Sequence, residues 1–203
     1  MLAHLRPAIM MIILFSALTG LAYPLAITGI AQLVFPGKAN GSVVKRDGKI
    51  AGSALIGQNF TSGRYFHGRP SATSAPDPTD PSKTVDAPYN AANSSGSNLG
   101  PTSQKLVDRV ASAIQAGFEA GYEDAFSADA VTTSASGLDP HISPQFALAQ
   151  VRAVAKARNL AESRVRALVE ERTEQRWHGL IGEPRVNVLL LNLALDALEE
   201  ASP

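Results

Sequence analysis

Histidine, serine and the acidic residues are the candidates for catalytic chemistry in this chain. The chain has no cysteine. Cysteine nucleophiles and thiolate zinc sites are therefore excluded. His67, His141 and His178 lie far apart, and none pairs with another at the i, i+4 spacing of a helical zinc site. We interpret them as surface or capping histidines and expect this chain to bind no metal.

Nucleophilic and phosphate-binding motifs are missing from the sequence. A Ser-His-Asp triad can be assembled from any chain this rich in serine, but the Gly-x-Ser-x-Gly elbow that exposes a hydrolase nucleophile is absent. The Gly-x-x-x-x-Gly-Lys-Ser/Thr loop that cradles nucleotide phosphates is absent too. The sequence alone supports neither activity.

Two neighbouring segments combine aromatic residues, glycines and Arg69 in what we expect to be strand ends and loops. They read GSALIGQNF at 52–60 and YFHGRPSAT at 65–73. Two interpretations remain open. Arg69 and the aromatic residues either fasten a loop to the core or form an interaction surface.

The charges of the chain balance, with 18 Lys and Arg against 18 Asp and Glu over 203 residues. Binding to nucleic acid depends on an excess of basic residues that this composition lacks, so we expect no nucleic-acid partner. A hydrophobic fraction of 45% argues against wholesale disorder.

The longest apolar stretch lies near the N-terminus, where no residue from Pro7 to Phe35 is charged. This stretch is long enough to span a bilayer as one helix, which we expect Pro24 to kink. Its apolar character resumes after Pro24, which favours an uncleaved anchor over a removed signal peptide. We therefore predict a tail and transmembrane helix over 1–36 and a soluble domain over 37–203.

The orientation of the anchor follows from two opposing arguments. Basic residues are more numerous after the span, at Lys38, Lys45, Arg46 and Lys49, than before it, where Arg6 stands alone. Counted literally, this bias keeps the C-terminal side in the cytoplasm. Long domains, however, translocate largely regardless of charge, and we favour an extracytoplasmic soluble domain.

The soluble part mixes strand and helix patterns without strict alternation, which predicts an α+β domain. Asp47-Gly48 predicts a tight turn between two short strands within 42–57. The region 63–104 is rich in Gly, Pro, Ser, Thr, Asn and Asp, and we expect it to be a long irregular loop without regular elements. A short strand at Val186 and Val188 precedes a last helix over 189–198.

Three further helices are predicted in the soluble part. The first begins near Ser103, and its apolar residues recur at helical spacing up to Phe118. The second begins at Ser143, with Pro144 at its first position. Asn159 and Glu162 resemble a capping box that starts the third.

The chain resembles the C subunit of the Kdp high-affinity potassium-transporting ATPase. The resemblance rests on the N-terminal anchor and on five stretches in the right order: the two named above, SASGLDPHISP at 134–144, VAKARNL at 154–160 and LNLALD at 191–196. It covers essentially the whole chain, and the motifs are long enough to be specific.

The resemblance implies a non-catalytic subunit of a bacterial inner-membrane complex. Its partners would be a potassium-translocating A subunit, an ATP-hydrolysing P-type B subunit and a small F subunit. The family is described as a catalytic chaperone that raises the ATP affinity of the B subunit, with a glutamine proposed to contact nucleotide. The matching residue is Gln150, and the sequence after it, Val-Arg-Ala-Val-Ala, departs from the usual family pattern.

On a helical wheel, Gln150 lies at the edge of the apolar arc of the second helix, so a glutamine that bonds a neighbouring loop is the alternative to ATP contact. ATP is in the cytoplasm, and an extracytoplasmic domain could not reach it. A membrane-anchored extracytoplasmic hydrolase and a solitary binding module remain the alternative functions.

Overall fold

The computed structural model describes residues 2–122 and 127–200. By internal contacts the chain forms two units, Met1–Ser53 and Ala54–Pro203. Helices and strands both occur, as expected for an α+β chain with an N-terminal helix. The predicted domain boundary at 36/37 stays a prediction.

The first unit begins with one long apolar helix. It comprises α1 (Leu2–Ala17), a π-helical segment (Leu18–Ala22) and α2 (Tyr23–Val34). The stretch His4–Val34, 31 residues long, is long and apolar enough to cross a membrane. The hydrogen-bond pattern changes over Leu18–Ala22, immediately before Pro24, because proline cannot donate a backbone hydrogen bond.

A short helix and a hairpin complete the first unit: α3 (Pro36–Ala39), β1 (Val43–Arg46) and β2 (Lys49–Ser53). The two strands pair antiparallel. Asp47 and Gly48 join them with φ of 50° and 75°, and this pair of positive φ values gives the tight turn predicted from the sequence.

The second unit contains the remaining elements. In chain order they are β3 (Ser74–Pro76), β4 (Thr84–Asp86), α4 (Gln104–Glu119), α5 (Ala128–Val131), β5 (His141–Ile142), α6 (Pro144–Arg158), α7 (Glu162–Glu171), β6 (Thr173–Glu174), β7 (Arg185–Asn187) and α8 (Val188–Glu200). Strands β5, β7 and β6 form a three-stranded antiparallel sheet in that order.

The core of the second unit lies among α6, α7, α8 and β7. Helical spacing places apolar residues of each helix on the face turned to the others. The largest fully buried apolar side chains are Phe66, Leu191, Leu195, Val151, Val154, Val165, Val169 and Val186. Phe66 alone among these comes from a loop, so the core holds the 65–73 segment in place.

The expectation that 63–104 has no regular element was wrong. β3 and β4 pair antiparallel within this region, with Ala75 opposite Val85. The turn between them is closed by side chains, since Asp77 accepts from the Thr79 N–H and Asp80 from the Ser82 N–H. Aspartates that accept from the N–H two residues on are themselves a turn signal, but our prediction placed them in a loop and not in a turn between two short strands.

Two predicted boundaries also need correction. Asn159 does not start α7. It ends α6 with a left-handed φ of 55°, which asparagine tolerates, and α7 begins after Ala161. Val188 is the first residue of α8, and the preceding strand ends at Asn187.

α6 begins as predicted, because Ser143 accepts a hydrogen bond from the Phe146 N–H at its N-terminus. α4 begins where expected, but its apolar side is only partly covered. Val107 and Phe118 are 54% and 47% exposed, and Gly117 is the helix residue that is buried.

Candidate functional site

Gln150, the predicted nucleotide contact, lies on the buried side of α6 with none of its surface exposed. Its Oε1 accepts a hydrogen bond from the His67 N–H at 2.7 Å, and its Nε2 donates to the His67 C=O at 3.1 Å. The amide therefore satisfies both backbone groups of one loop residue. This geometry matches the alternative left open by the sequence, a glutamine that bonds a neighbouring loop.

Asn192 on α8 likewise bonds both backbone groups of Phe66, the residue before His67. Its Oδ1 accepts from the Phe66 N–H at 2.8 Å and its Nδ2 donates to the Phe66 C=O at 3.0 Å. Two buried amides on two helices thus pair with consecutive loop residues, as a neighbouring strand would. Sequence reasoning missed Asn192. The available signal was a polar residue within the otherwise apolar start of α8.

The side chain of His67 is fixed on both ring nitrogens. Tyr122 places its hydroxyl 2.7 Å from Nδ1, and the Ser62 carbonyl lies 3.2 Å from Nε2. Burial raises the pKa of Tyr122 to about 12, so this hydroxyl keeps its proton at neutral pH. The Ser62 carbonyl can only accept, so Nε2 donates to it.

The other two histidines lie in different surroundings. His141 Nδ1 is 3.4 Å from an Asp139 carboxylate oxygen. His178 contacts the Trp177 ring edge-on, with centroids 4.3 Å apart. The structure does not bring the three histidines together, and it shows no group of three or more metal-ligating side chains within residues 2–122 and 127–200.

Ser143, the serine nearest to His141 in the sequence, does not complete a triad with the Asp139–His141 pair. Ser143, two residues beyond His141, donates its hydroxyl to Asp129 at 2.9 Å and accepts from the Phe146 N–H. The serine nearest in sequence is therefore used to start α6 and not to attack a substrate. Burial acts to raise the pKa of Asp139, but hydrogen bonds from His141 and the Arg69 charge outweigh it and hold the pKa below its usual value.

Arg69 fastens its segment to the 132–139 region. Its guanidinium lies 3.3 Å from the Asp139 carboxylate and donates to the Thr133 carbonyl at 3.3 Å. Its own carbonyl accepts from the Tyr89 hydroxyl at 2.7 Å. These contacts agree with the first of the two interpretations of this segment.

A cleft of about 490 Å³ lies beside Arg69. Phe60, Tyr89, Tyr122 and Phe146 contribute aromatic rings to its wall, and α4 contributes small residues. Arg69 is the charged residue that the described residues contribute to this wall, so they offer apolar contact and no cradle for a triphosphate.

The most strongly charged cluster ties α6 to α8. Arg158, with 2% of its side chain exposed, donates to Asp196 at 2.7 Å and to Glu199 at 2.6 Å. It also donates from Nε to the Arg64 carbonyl, and the guanidinium stacks 4.6 Å from the Tyr65 ring centroid. Every described charge in this cluster has a partner inside the chain, so the cluster stabilises the fold and presents no free charge to a substrate.

Fold and site together define a class of protein. It is an α+β protein with an N-terminal helix fit to span a membrane, in which the buried side chains of Gln150, Asn192 and Arg158 fix loop residues onto helices. The family model described as KdpC, K+-transporting ATPase, c chain, matches residues 5–197. The chain belongs to this family.

Similar curated proteins extend over nearly the full chain. Proteins named potassium-transporting ATPase KdpC subunit are 61% identical in Methylobacterium nodulans and 59% identical in Rhodopseudomonas palustris strain BisB18. A third, from Bradyrhizobium diazoefficiens, is also 59% identical. The alignments cover 97–98% of this chain and 98–99% of the relatives. The resemblance seen in the sequence motifs is therefore confirmed.

Proposed function

We propose that the chain is an accessory, non-catalytic subunit of an ATP-driven potassium import complex, which it assembles and stabilises. The observation that carries this proposal is the end-to-end similarity to proteins named as KdpC subunits of a potassium-transporting ATPase. The geometry supports it, because His67, Arg69 and Arg158 are used for contacts within the chain.

The proposed partners are the potassium-translocating A subunit, the ATP-hydrolysing B subunit and the small F subunit. We place the chain in the bacterial inner membrane, with His4–Val34 as a single span in the lipid bilayer and the soluble unit outside the cytoplasm. Partner helices would pack on the span, where small residues permit close approach: Gly20, Ala22, Ala26 and Gly29.

An effect on the ATP affinity of the B subunit is the finer part of the proposal. Contact between Gln150 and ATP stays a hypothesis, and it would break the two hydrogen bonds between Gln150 and His67. The amide would have to leave His67, which would leave two part-buried backbone groups without their partner. An extracytoplasmic unit would also never meet ATP. We therefore propose that any such effect is transmitted by assembly through the membrane helix.

The test is purification of the complex through an affinity tag on this chain, from cells that express all the subunits. We expect the other subunits to be recovered in a fixed ratio, with potassium-stimulated ATP hydrolysis. Expression without this chain should give little assembled enzyme.

Recovery of the tagged chain alone would contradict the proposal and favour a solitary binding module. The hydrolase alternative is tested by comparing the purified wild-type chain with a variant in which His67, His141 and His178 are all replaced. Loss of an ester- or peptide-hydrolysing activity in this variant would favour the hydrolase.

A further inference from the structure

The π-helical segment leaves a backbone carbonyl of the membrane helix without its usual donor. The Tyr23 N–H donates to the Leu18 carbonyl, five residues back, where an α-helix would use the Thr19 carbonyl. The next residue, Pro24, has no N–H. The Thr19 carbonyl therefore loses the donors at both i+4 and i+5, and the Gly20 carbonyl loses its donor at i+4.

The position of this carbonyl makes the loss costly. Thr19 lies 15 residues from each end of the His4–Val34 stretch, since 19 − 4 and 34 − 19 are both 15. At about 1.5 Å per residue it lies about 22 Å from either end, at the depth of the bilayer centre. Water is absent there, and an unsatisfied carbonyl is strongly unfavourable.

The Thr19 side chain does not bond the Thr19 carbonyl, but a neighbouring helix could approach this carbonyl closely. The Thr19 hydroxyl already donates to the Phe15 carbonyl at 2.7 Å. Gly20 lies within the π-helical segment and has no side chain. A Cβ built on it would have no heavy atom within 4 Å, so the space beside this backbone is open. The backbone is thus open to close approach at the point where a donor is missing.

We propose that this bulge, Leu18–Ala22, is the docking point for a transmembrane helix of another subunit. That helix places a hydroxyl or amide donor against the Thr19 carbonyl at the bilayer centre, next to Gly20. The identity of the partner as a subunit of the transporter rests on the proposed function.

A second copy of this chain does not fit the same role. Two copies inserted in the same direction face each other at equal depth, and between Ala17 and Leu21 the only side-chain donor is the Thr19 hydroxyl. That hydroxyl is already used within its own helix. The missing donor therefore comes from a different sequence.

The test compares three variants of the tagged full-length chain, each co-expressed with the other subunits. Gly20→Leu blocks close approach, and Pro24→Ala restores an N–H that satisfies the carbonyl from within the helix. Pro7→Ala is the matched control, because it makes the same change in α1, far from the bulge. Membrane insertion and thermal unfolding of each variant establish that it still folds.

We expect both bulge variants to weaken association about threefold to thirtyfold, the effect of one interhelical hydrogen bond in a membrane, while Pro7→Ala matches the wild type. Wild-type recovery with both bulge variants would overturn this inference and leave the proposed function standing. Failure of the wild-type chain to recover any partner would overturn both.

A separate measurement addresses self-association. Gly20→Cys introduces the chain's only cysteine, so oxidation of the chain expressed alone reports contact between copies. We expect monomer. A disulfide-linked dimer would assign the bulge to a second copy and overturn the inference.

Discussion

At the residue scale, two buried amides carry out one task. Gln150 and Asn192 each bond both backbone groups of a loop residue, so the chain at Phe66 and His67 is held by four hydrogen bonds from side chains. Such bonds contribute modestly when formed, but a buried group left without a partner is costly. The amides therefore act mainly by preventing any other position of the loop.

Replacing Gln150 with leucine should destabilise the protein by roughly 1–3 kcal/mol, because the part-buried His67 N–H and C=O would lose the amide that bonds them both. Thermal and urea unfolding of the full chain in detergent would measure the change. Gln115→Leu is the matched control, since Gln115 lies on the surface of α4 and bonds Glu119. Equal stability of the two variants would contradict the role assigned to Gln150.

A second prediction concerns Gly57, which lies against Tyr89. A Cβ at Gly57 would overlap the Tyr89 ring and approach the Asp139 carbonyl at 2.8 Å. Gly57→Ala should therefore cost about 1–3 kcal/mol through overpacking. Gly63→Ala is the control, because a Cβ there meets nothing within 4 Å. If both variants unfold at the same temperature, the packing of Tyr89 differs from that described.

Structural features set by residues close together in the sequence were predicted better than contacts between distant residues. Ser143 with Pro144, and Asp47 with Gly48, act within four residues, and both were placed correctly. Asn159 was misplaced because the same residue type starts helices and ends them, and the backbone φ that decides between these roles is not visible in a sequence. The pairing of Gln150 with His67 joins residues 83 positions apart, so periodicity could place Gln150 on a helix face but could not name its partner.

At the element scale, one ion-pair cluster holds α6, α8 and the 64–65 loop together. Arg158 provides the buried charge, and Asp196 and Glu199 provide the opposite charges one helical turn apart on α8. Glu199 also accepts from Arg64 at 2.7 Å. A buried pair of this kind is costly to break from one side, because the remaining charge stays buried.

Because of this ion-pair cluster, we expect the stability of the folded protein to fall in acid. Hydrogen bonds from Arg64 and then Arg158 hold the pKa of Glu199 below its usual 4.5. A carboxyl with a lowered pKa stabilises the folded state above its unfolded pKa, and this contribution is lost as the pH falls through the folded pKa. The melting temperature should therefore be steady above about pH 5 and fall below pH 4.5.

Glu199→Gln should flatten this part of the pH profile and lower the melting temperature at pH 7, as scanning calorimetry would show. Glu162→Gln is the control, because Glu162 forms an exposed pair with Arg166 at 3.4 Å on one helix. An unchanged acid limb in Glu199→Gln would assign the acid sensitivity to other carboxylates, among which Asp139 also has a lowered pKa.

At the scale of the whole molecule, the side of the membrane occupied by the second unit decides which functions are open to it. The positions of Lys38, Lys45, Arg46 and Lys49 favour the cytoplasm by the charge rule, whereas long domains cross largely regardless of charge. Only a cytoplasmic unit could meet ATP. An outer unit would be confined to assembly and to the outer face of the potassium path.

Labelling of a single cysteine tests this choice directly, because the chain has none of its own. Ser136 is exposed, and Ser136→Cys should react with a membrane-impermeant maleimide in intact spheroplasts, since we expect the second unit outside. His4→Cys, at the other end of the span, should react only in opened vesicles. The reverse pattern would place the unit in the cytoplasm, and Gln150→Leu should then be assayed for ATP affinity in the complex.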